Sequence, residues 1–82
     1  METVKILIPN SEAVSDFVNK TSSLPFDVDL GSGNRLVDAK SLLGVLYLGV
    51  GRITELFAPK EKMTQVEEKL REYLVMAYKK HV

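Results

Sequence analysis

The stretch Asp38-Ala39-Lys40-Ser41-Leu42-Leu43-Gly44-Val45-Leu46-Tyr47-Leu48-Gly49-Val50 decides how this chain is read. Ser41 stands directly before Leu42, Leu43, Leu46, Tyr47 and Val50, which form a short and very apolar helical run. A serine in that place is an N-cap. Its hydroxyl oxygen accepts from an early backbone N–H that has no partner inside the helix, and its replacement by alanine costs about 1 kcal/mol. Gly49 and Gly51 mark the end of the helix. The leucines pose a question of burial. Leu42, Leu43 and Leu46 fit a core in part; two of the three facing outward ask for a partner.

Working upstream, Arg35 to Ala39 reads as a strand, joined through the turn signal Gly31-Ser32-Gly33-Asn34 to a partner. In that partner Phe26, Val28 and Leu30 alternate with Asp27 and Asp29, the pattern of a half-buried strand. Asp27 and Asp29 then share one face, which reads as solvated rather than as a cation site. Thr21-Ser22-Ser23-Leu24-Pro25 breaks an earlier helix, in which Ala13, Val14, Phe17 and Val18 recur at helical spacing. Asn10 or Ser11 caps its start, and Glu12 and Asp16 suit its positive end. Val4, Ile6 and Ile8 alternate with Lys5 and Leu7 in a first strand, and Leu7 suggests partial cover on both faces.

Downstream, Arg52 to Ala58 reads as a strand closed by Pro59. A long amphipathic helix is predicted beyond it. Thr64 and Glu67 have capping-box spacing. Val66, Leu70, Tyr73, Leu74, Ala77 and Tyr78 make one apolar stripe, and Lys79, Lys80 and His81 suit the negative end. The order is β-α-β-β-α-β-α. It predicts one domain over residues 1–82, with an antiparallel or mixed sheet and its helices on one face.

Composition narrows the function. Eleven basic and eleven acidic residues balance, which argues against a nucleic-acid footprint with its basic excess. The chain has no cysteine, so no disulfide, thiolate metal site or cysteine nucleophile is available. That suits a cytoplasmic setting. The N-terminus lacks the basic flank and length of a secretory signal, and no apolar run approaches the roughly 20 residues of a membrane helix. No second catalytic group accompanies any nucleophile, so the chain is not read as an enzyme, and no metal or cofactor is implied.

The Ala39-Lys40-Ser41 run followed by an apolar helix ending in Leu48-Gly49 resembles the regulatory-serine segment of the HPr phosphocarrier family. The element order matches that family over almost the whole chain. The fold implied is the α+β open-faced β-sandwich, a four-stranded antiparallel sheet covered by three helices. Phosphocarriers of the family carry Leu-His-x-Arg-Pro where the first strand meets the first helix. An ungapped placement of Phe17-Val18 and Ser41 puts the histidine position on Asn10, the arginine position on Glu12 and the proline position on Ala13. A carrier histidine uses a nucleophilic ring nitrogen to form a phosphoramidate; an asparagine amide has no such nucleophile, and Glu12 repels a phosphoryl group that an arginine would hold. His81, the only histidine, reads as a helix-end charge. The segment after Gly49 is slightly shorter than in familiar carriers.

The chain is therefore similar to a histidine-lacking HPr-like branch. In relatives that use the serine, HPr kinase/phosphorylase phosphorylates it with ATP, and the phosphoserine form binds a LacI-type regulator. The resemblance implies Ser41 as the phosphorylation site, with Lys40, Leu42, Leu43, Leu46 and Tyr47 forming the docking surface. Three functions follow: a non-catalytic regulatory module of the phosphotransferase system, an atypical phosphocarrier, or an unswitched protein-interaction domain. In all three the partners are proteins, not nucleic acid or membrane.

Overall fold

Alternating apolar side chains of strands distant in sequence meet in one sheet. The computed structural model describes residues 1–75. Strand β1 (Glu2–Leu7) pairs with β4 (Ile53–Ala58), which pairs in turn with β2 (Asp29–Ser32), and β2 with β3 (Arg35–Asp38). All these pairings are antiparallel, in the order β1-β4-β2-β3. Helices α1 (Val14–Ser22), α2 (Leu42–Leu48) and α3 (Met63–Lys69) cover one face. Ile6, Ile8, Phe17, Leu30, Val45, Leu56, Val66 and Leu70 are fully buried between the layers. The structure is thus the four-stranded antiparallel sheet under three helices that the resemblance implies, and it settles the sheet as antiparallel where the order of elements left a mixed one open.

The strand periodicity places the inward residues correctly, with one exception. Leu7 is exposed, not covered on both faces. It lies on the open side of the sheet, where its register partner Ile53 is exposed too. On that same face Lys5 forms an ion pair with Glu55 at 3.0 Å across the register. Such a pair is stabilising by no more than about 1 kcal/mol at the surface.

Several boundaries differ from the expected ones. The strand read from Phe26 begins only at Asp29, with a single further bond before it, from Ala39 N–H to the Val28 carbonyl. Asp27 therefore lies outside the strand and does not share a strand face with Asp29. Gly31 and Ser32 belong to β2, so the turn is the two-residue loop Gly33-Asn34. Its glycine has φ 61°, the arrangement of a type II′ hairpin turn. The fourth strand starts at Ile53, after Arg52, and helix α1 runs through Thr21 to Ser22 instead of ending before it. Gly49 is needed for space: a Cβ there would meet Leu30 Cδ2 at 2.9 Å and the Val45 carbonyl at 3.1 Å.

The long C-terminal helix does not form as one piece among the described residues. After Pro59 the chain winds through a 3-10 turn (Lys60–Lys62) into α3, so Thr64 is already inside the helix and makes no capping box. The last α-type bond, from Leu70 N–H to the Val66 carbonyl, is followed by a second 3-10 turn, Arg71–Tyr73. Leu74 is then extended and pairs antiparallel with Ile6, while Val75 N–H donates to the Lys5 carbonyl at 3.0 Å. The free edge of β1 offers backbone acceptors that compete with the helix. The apolar stripe still points inward at Val66, Leu70 and Tyr73, with Leu74 half-buried. Its continuation at Ala77 and Tyr78, and the basic group Lys79, Lys80 and His81, lie outside the described residues.

Tyr73 fastens this break. Its ring meets Phe17 edge-on at 5.3 Å, and its hydroxyl donates to Asp16 Oδ2 at 2.6 Å. Lys20 bridges Asp16, at 3.1 Å, and Glu72. Burial, followed by the bond to Asp16, pushes the Tyr73 hydroxyl up to about 12. The Tyr73 hydroxyl, with help from Lys20, in turn holds the Asp16 carboxyl below its ordinary range. A raised tyrosine favours folding while the proton stays on, so its contribution is constant below pH 10 and falls away as pH rises toward 12. Chemical denaturation across this range should show the loss in wild type and a shallower one in Tyr73→Phe. At neutral pH that variant should itself be about 1 kcal/mol less stable.

Candidate functional site at the start of helix α2

Ser41 caps α2. With φ −93° and ψ 119° it is extended, and its Oγ accepts from Gly44 N–H at 3.1 Å. Gly44 leaves room for this: a Cβ there would meet Ser41 Oγ at 3.3 Å and Val37 Cβ at 3.1 Å. The sequence predicts this cap, and the bond confirms it.

The loop that carries Ser41 is held from several sides. Ala39 N–H donates to the Val28 carbonyl at 3.0 Å. The Thr21 hydroxyl, fully buried on α1, donates to the Ala39 carbonyl at 2.7 Å and to the Val18 carbonyl at 3.1 Å. Lys40 N–H donates to Asp38 Oδ1 at 2.9 Å, and Ser41 N–H to the Asp38 carbonyl at 3.0 Å. The Lys40 ammonium donates to the Leu24 carbonyl at 2.7 Å, bracing the loop against the end of α1. Lys40 is thus tied down where the sequence suggests a neighbouring cation for Ser41.

Helix α2 divides its apolar residues between two faces. Val45 and Leu48 are buried. Leu42, Leu43, Leu46 and Tyr47 are exposed, from 45% at Leu46 to 76% at Leu43. A helix that spends four large apolar side chains on solvent carries an unusual surface for its length. Ser41, half-buried at its N-terminal end, adjoins that surface.

The other candidate end, where β1 meets α1, is arranged differently. Asn10 Oδ1 accepts from Ala13 N–H at 3.1 Å, capping the 3-10 turn Ser11–Ala13 that leads into α1. Glu12 is exposed within that turn, and Ala13 is half-buried. Asn10 is therefore a helix cap, as its residue type suggests. Among the described residues no group of three or more metal-ligating side chains converges, and no helix is long and apolar enough to cross a membrane.

Comparison with solved structures follows this geometry closely. A crystal structure of HPr-C-His from Thermoanaerobacter tengcongensis superposes with a TM-score of 0.73 and 22% identity, covering 100% of each chain. The chain has the HPr fold. The phosphocarrier protein HPr from Bacillus anthracis str. Ames superposes with a TM-score of 0.64 and 20% identity, covering 88% of this chain and 93% of its own. No protein-family model matches the chain, and no curated protein does either. The HPr fold thus survives here at low identity, as a fold defined by inward-facing apolar positions more than by particular residues.

Thr21, Leu24 and Asp38 shape the Ser41 loop, yet they do not stand out in the sequence. Thr21 sits in a Thr-Ser-Ser-Leu-Pro run that reads as a breaker. Its partner lies 18 residues away, beyond any local pattern. Thr21→Val keeps the shape and removes the donor, leaving the Ala39 carbonyl buried without it. We expect a loss of about 1–2 kcal/mol in denaturant unfolding, with the amide resonances of residues 39–44 shifting most.

Proposed function

We propose that this chain is a non-catalytic regulatory or binding protein with the HPr fold, related to the phosphotransferase system and switched by phosphorylation of Ser41. The observation that carries this reading is the exposed apolar face of α2 beside a capping serine. Docking then runs through Leu42, Leu43, Leu46 and Tyr47, with Lys40 at the rim.

The chemistry of the switch is local. Transfer of the ATP γ-phosphoryl to Ser41 Oγ replaces the hydroxyl proton with a group of nearly two negative charges and three acceptor oxygens. It arrives at a helix start, where free N–H groups and the positive dipole end favour an anion. Gly44 N–H, now bonded to Oγ, is the nearest donor that the ester can retain. The charge falls at the edge of the apolar face, so a partner that reads both separates the phosphorylated form from the unmodified one. Lys40 has to leave the Leu24 carbonyl to join.

The carrier reading finds less support. At the position matched to the carrier histidine, Asn10 offers an amide whose oxygen is engaged at Ala13 N–H. Glu12 adds negative charge where a phosphoryl group would need positive charge. The reading of an unswitched interaction domain rests on the same α2 face and differs only at Ser41, whose hydroxyl already has the full duty of a cap. In each reading the chain acts in the cytoplasm on protein partners, HPr kinase/phosphorylase and a LacI-type regulator in the first.

Intact-mass spectrometry after incubation with HPr kinase/phosphorylase and ATP tests the switch. One added phosphate is expected in wild type and none in Ser41→Ala. An unmodified wild type, with a known HPr phosphorylated in parallel, leaves Ser41 as a cap and favours the unswitched domain.

A further inference from the structure

Arg35 opens β3 and Arg52 immediately precedes β4, so the topology brings both to the C-terminal end of α2. There they line a cleft of about 330 Å³ with Tyr47 and Leu48. The Arg35 guanidinium lies over the Tyr47 ring, 5.5 Å from its centroid. We propose that this cleft is a binding site for the dianion of a phosphate monoester.

Charge bookkeeping is the first support. The chain has as many acids as bases; Lys5 is paired with Glu55 and Lys20 with Asp16 and Glu72, whereas the two arginines converge on one cleft. Among the described residues, no carboxylate lies within ion-pair distance of Arg35 or Arg52. Two guanidiniums carry +2. The C-terminal end of a helix offsets roughly −0.5 of this at most, and α2 is short. About +1.5 is left facing the cleft, against roughly −1.5 to −2 on a phosphate monoester at pH 7. The helix end alone therefore does not account for two arginines.

Shape is the second support. Each guanidinium presents planar, paired N–H donors that match two oxygens of one phosphate. The cation–π contact with Tyr47 restricts the Arg35 fork, lowering the ordering cost of binding. Tyr47 is 65% exposed and lines the same cleft. Leu48, buried beneath, gives the cleft an apolar wall. The volume is at the lower end for small-molecule sites, enough for a phosphate with a small organic group.

The cleft is separate from Ser41. Ser41 and Tyr47 are six positions apart, roughly 9 Å along the helix axis. A small phosphate ester and a phosphate on Ser41 therefore occupy opposite ends of α2, and this proposal stands whether or not Ser41 is modified.

Amide and arginine side-chain NMR spectra, titrated at constant ionic strength, test the proposal. The probes are inorganic phosphate, glycerol 3-phosphate and, as a monoanionic control, acetate. Saturable shifts at Arg35, Tyr47 and Arg52 are expected with glycerol 3-phosphate in the millimolar range. Arg35→Gln and Arg52→Gln should each weaken them about tenfold, as the loss of a charge-assisted bidentate pair implies. Arg52→Lys should bind at intermediate strength, since it keeps the charge without the fork. A bare phosphate response as strong as the ester's places recognition in the phosphoryl group alone. Both glutamine variants change exposed positions and should keep the wild-type spectrum elsewhere. The proposal is overturned by the absence of saturable shifts at tens of millimolar, by equal shifts with acetate, or by titrations that the glutamine variants leave unchanged.

Discussion

The bond from the Thr21 hydroxyl to the Ala39 carbonyl, 2.7 Å and fully buried, is the constraint on which the start of α2 depends. It ties α1 to the loop that launches α2. Without a donor there, the Ala39 carbonyl would be buried and unsatisfied, a cost comparable to a lost hydrogen bond. With it, every buried side-chain polar atom among the described residues has a partner. The loop is thereby held at Ala39 from two directions, since Ala39 N–H is committed to Val28. Ser41 follows two residues later, with its own cap bond to Gly44 N–H.

Helix α2 then works as a divided element. Val45 and Leu48 anchor it in the core, and Gly49 lets it pass close to Leu30. The remaining apolar side chains face solvent, where they gain nothing for folding. An exposed leucine costs little by itself, but four large apolar residues on one short helix form a patch of the kind that binding surfaces use. The two ends of the helix carry opposite chemistry: a hydroxyl facing free N–H groups at one, and two guanidiniums at the other. The β1–α1 junction has no comparable division. There Asn10 and Glu12 serve the helix start.

The fold was legible because alternation along strands is a local signal. Ile6, Ile8, Val28 and Leu30 face inward as their spacing predicts. The Ser41 and Asn10 caps were legible for the same reason, since a cap needs only its own residue and the next three. What escaped were features caused at a distance. The break after Leu70 arises because the edge of β1 and the carboxylate of Asp16 draw Leu74 and Tyr73 out of helical register. Leu7 looks covered by type, yet it lies on a face that no helix packs against. Whether Leu42, Leu43 and Leu46 are core or surface depends on how α2 is rotated over β2 and β3, which periodicity in so short a helix leaves open. Arg35 and Arg52 come together only when the sheet is assembled, so no motif marks them.

The account rests on the phosphate belonging at the start of α2 and not at the start of α1. Labelling the protein in parallel with ATP plus HPr kinase/phosphorylase, and with phosphoenolpyruvate plus the phosphotransferase donor enzyme, separates the two ends by the stability of the bond formed. The account predicts acid-stable phosphate from ATP alone, on Ser41. Acid-labile phosphate transferred from phosphoenolpyruvate would contradict it and return the chain to the carriers whose fold it shares.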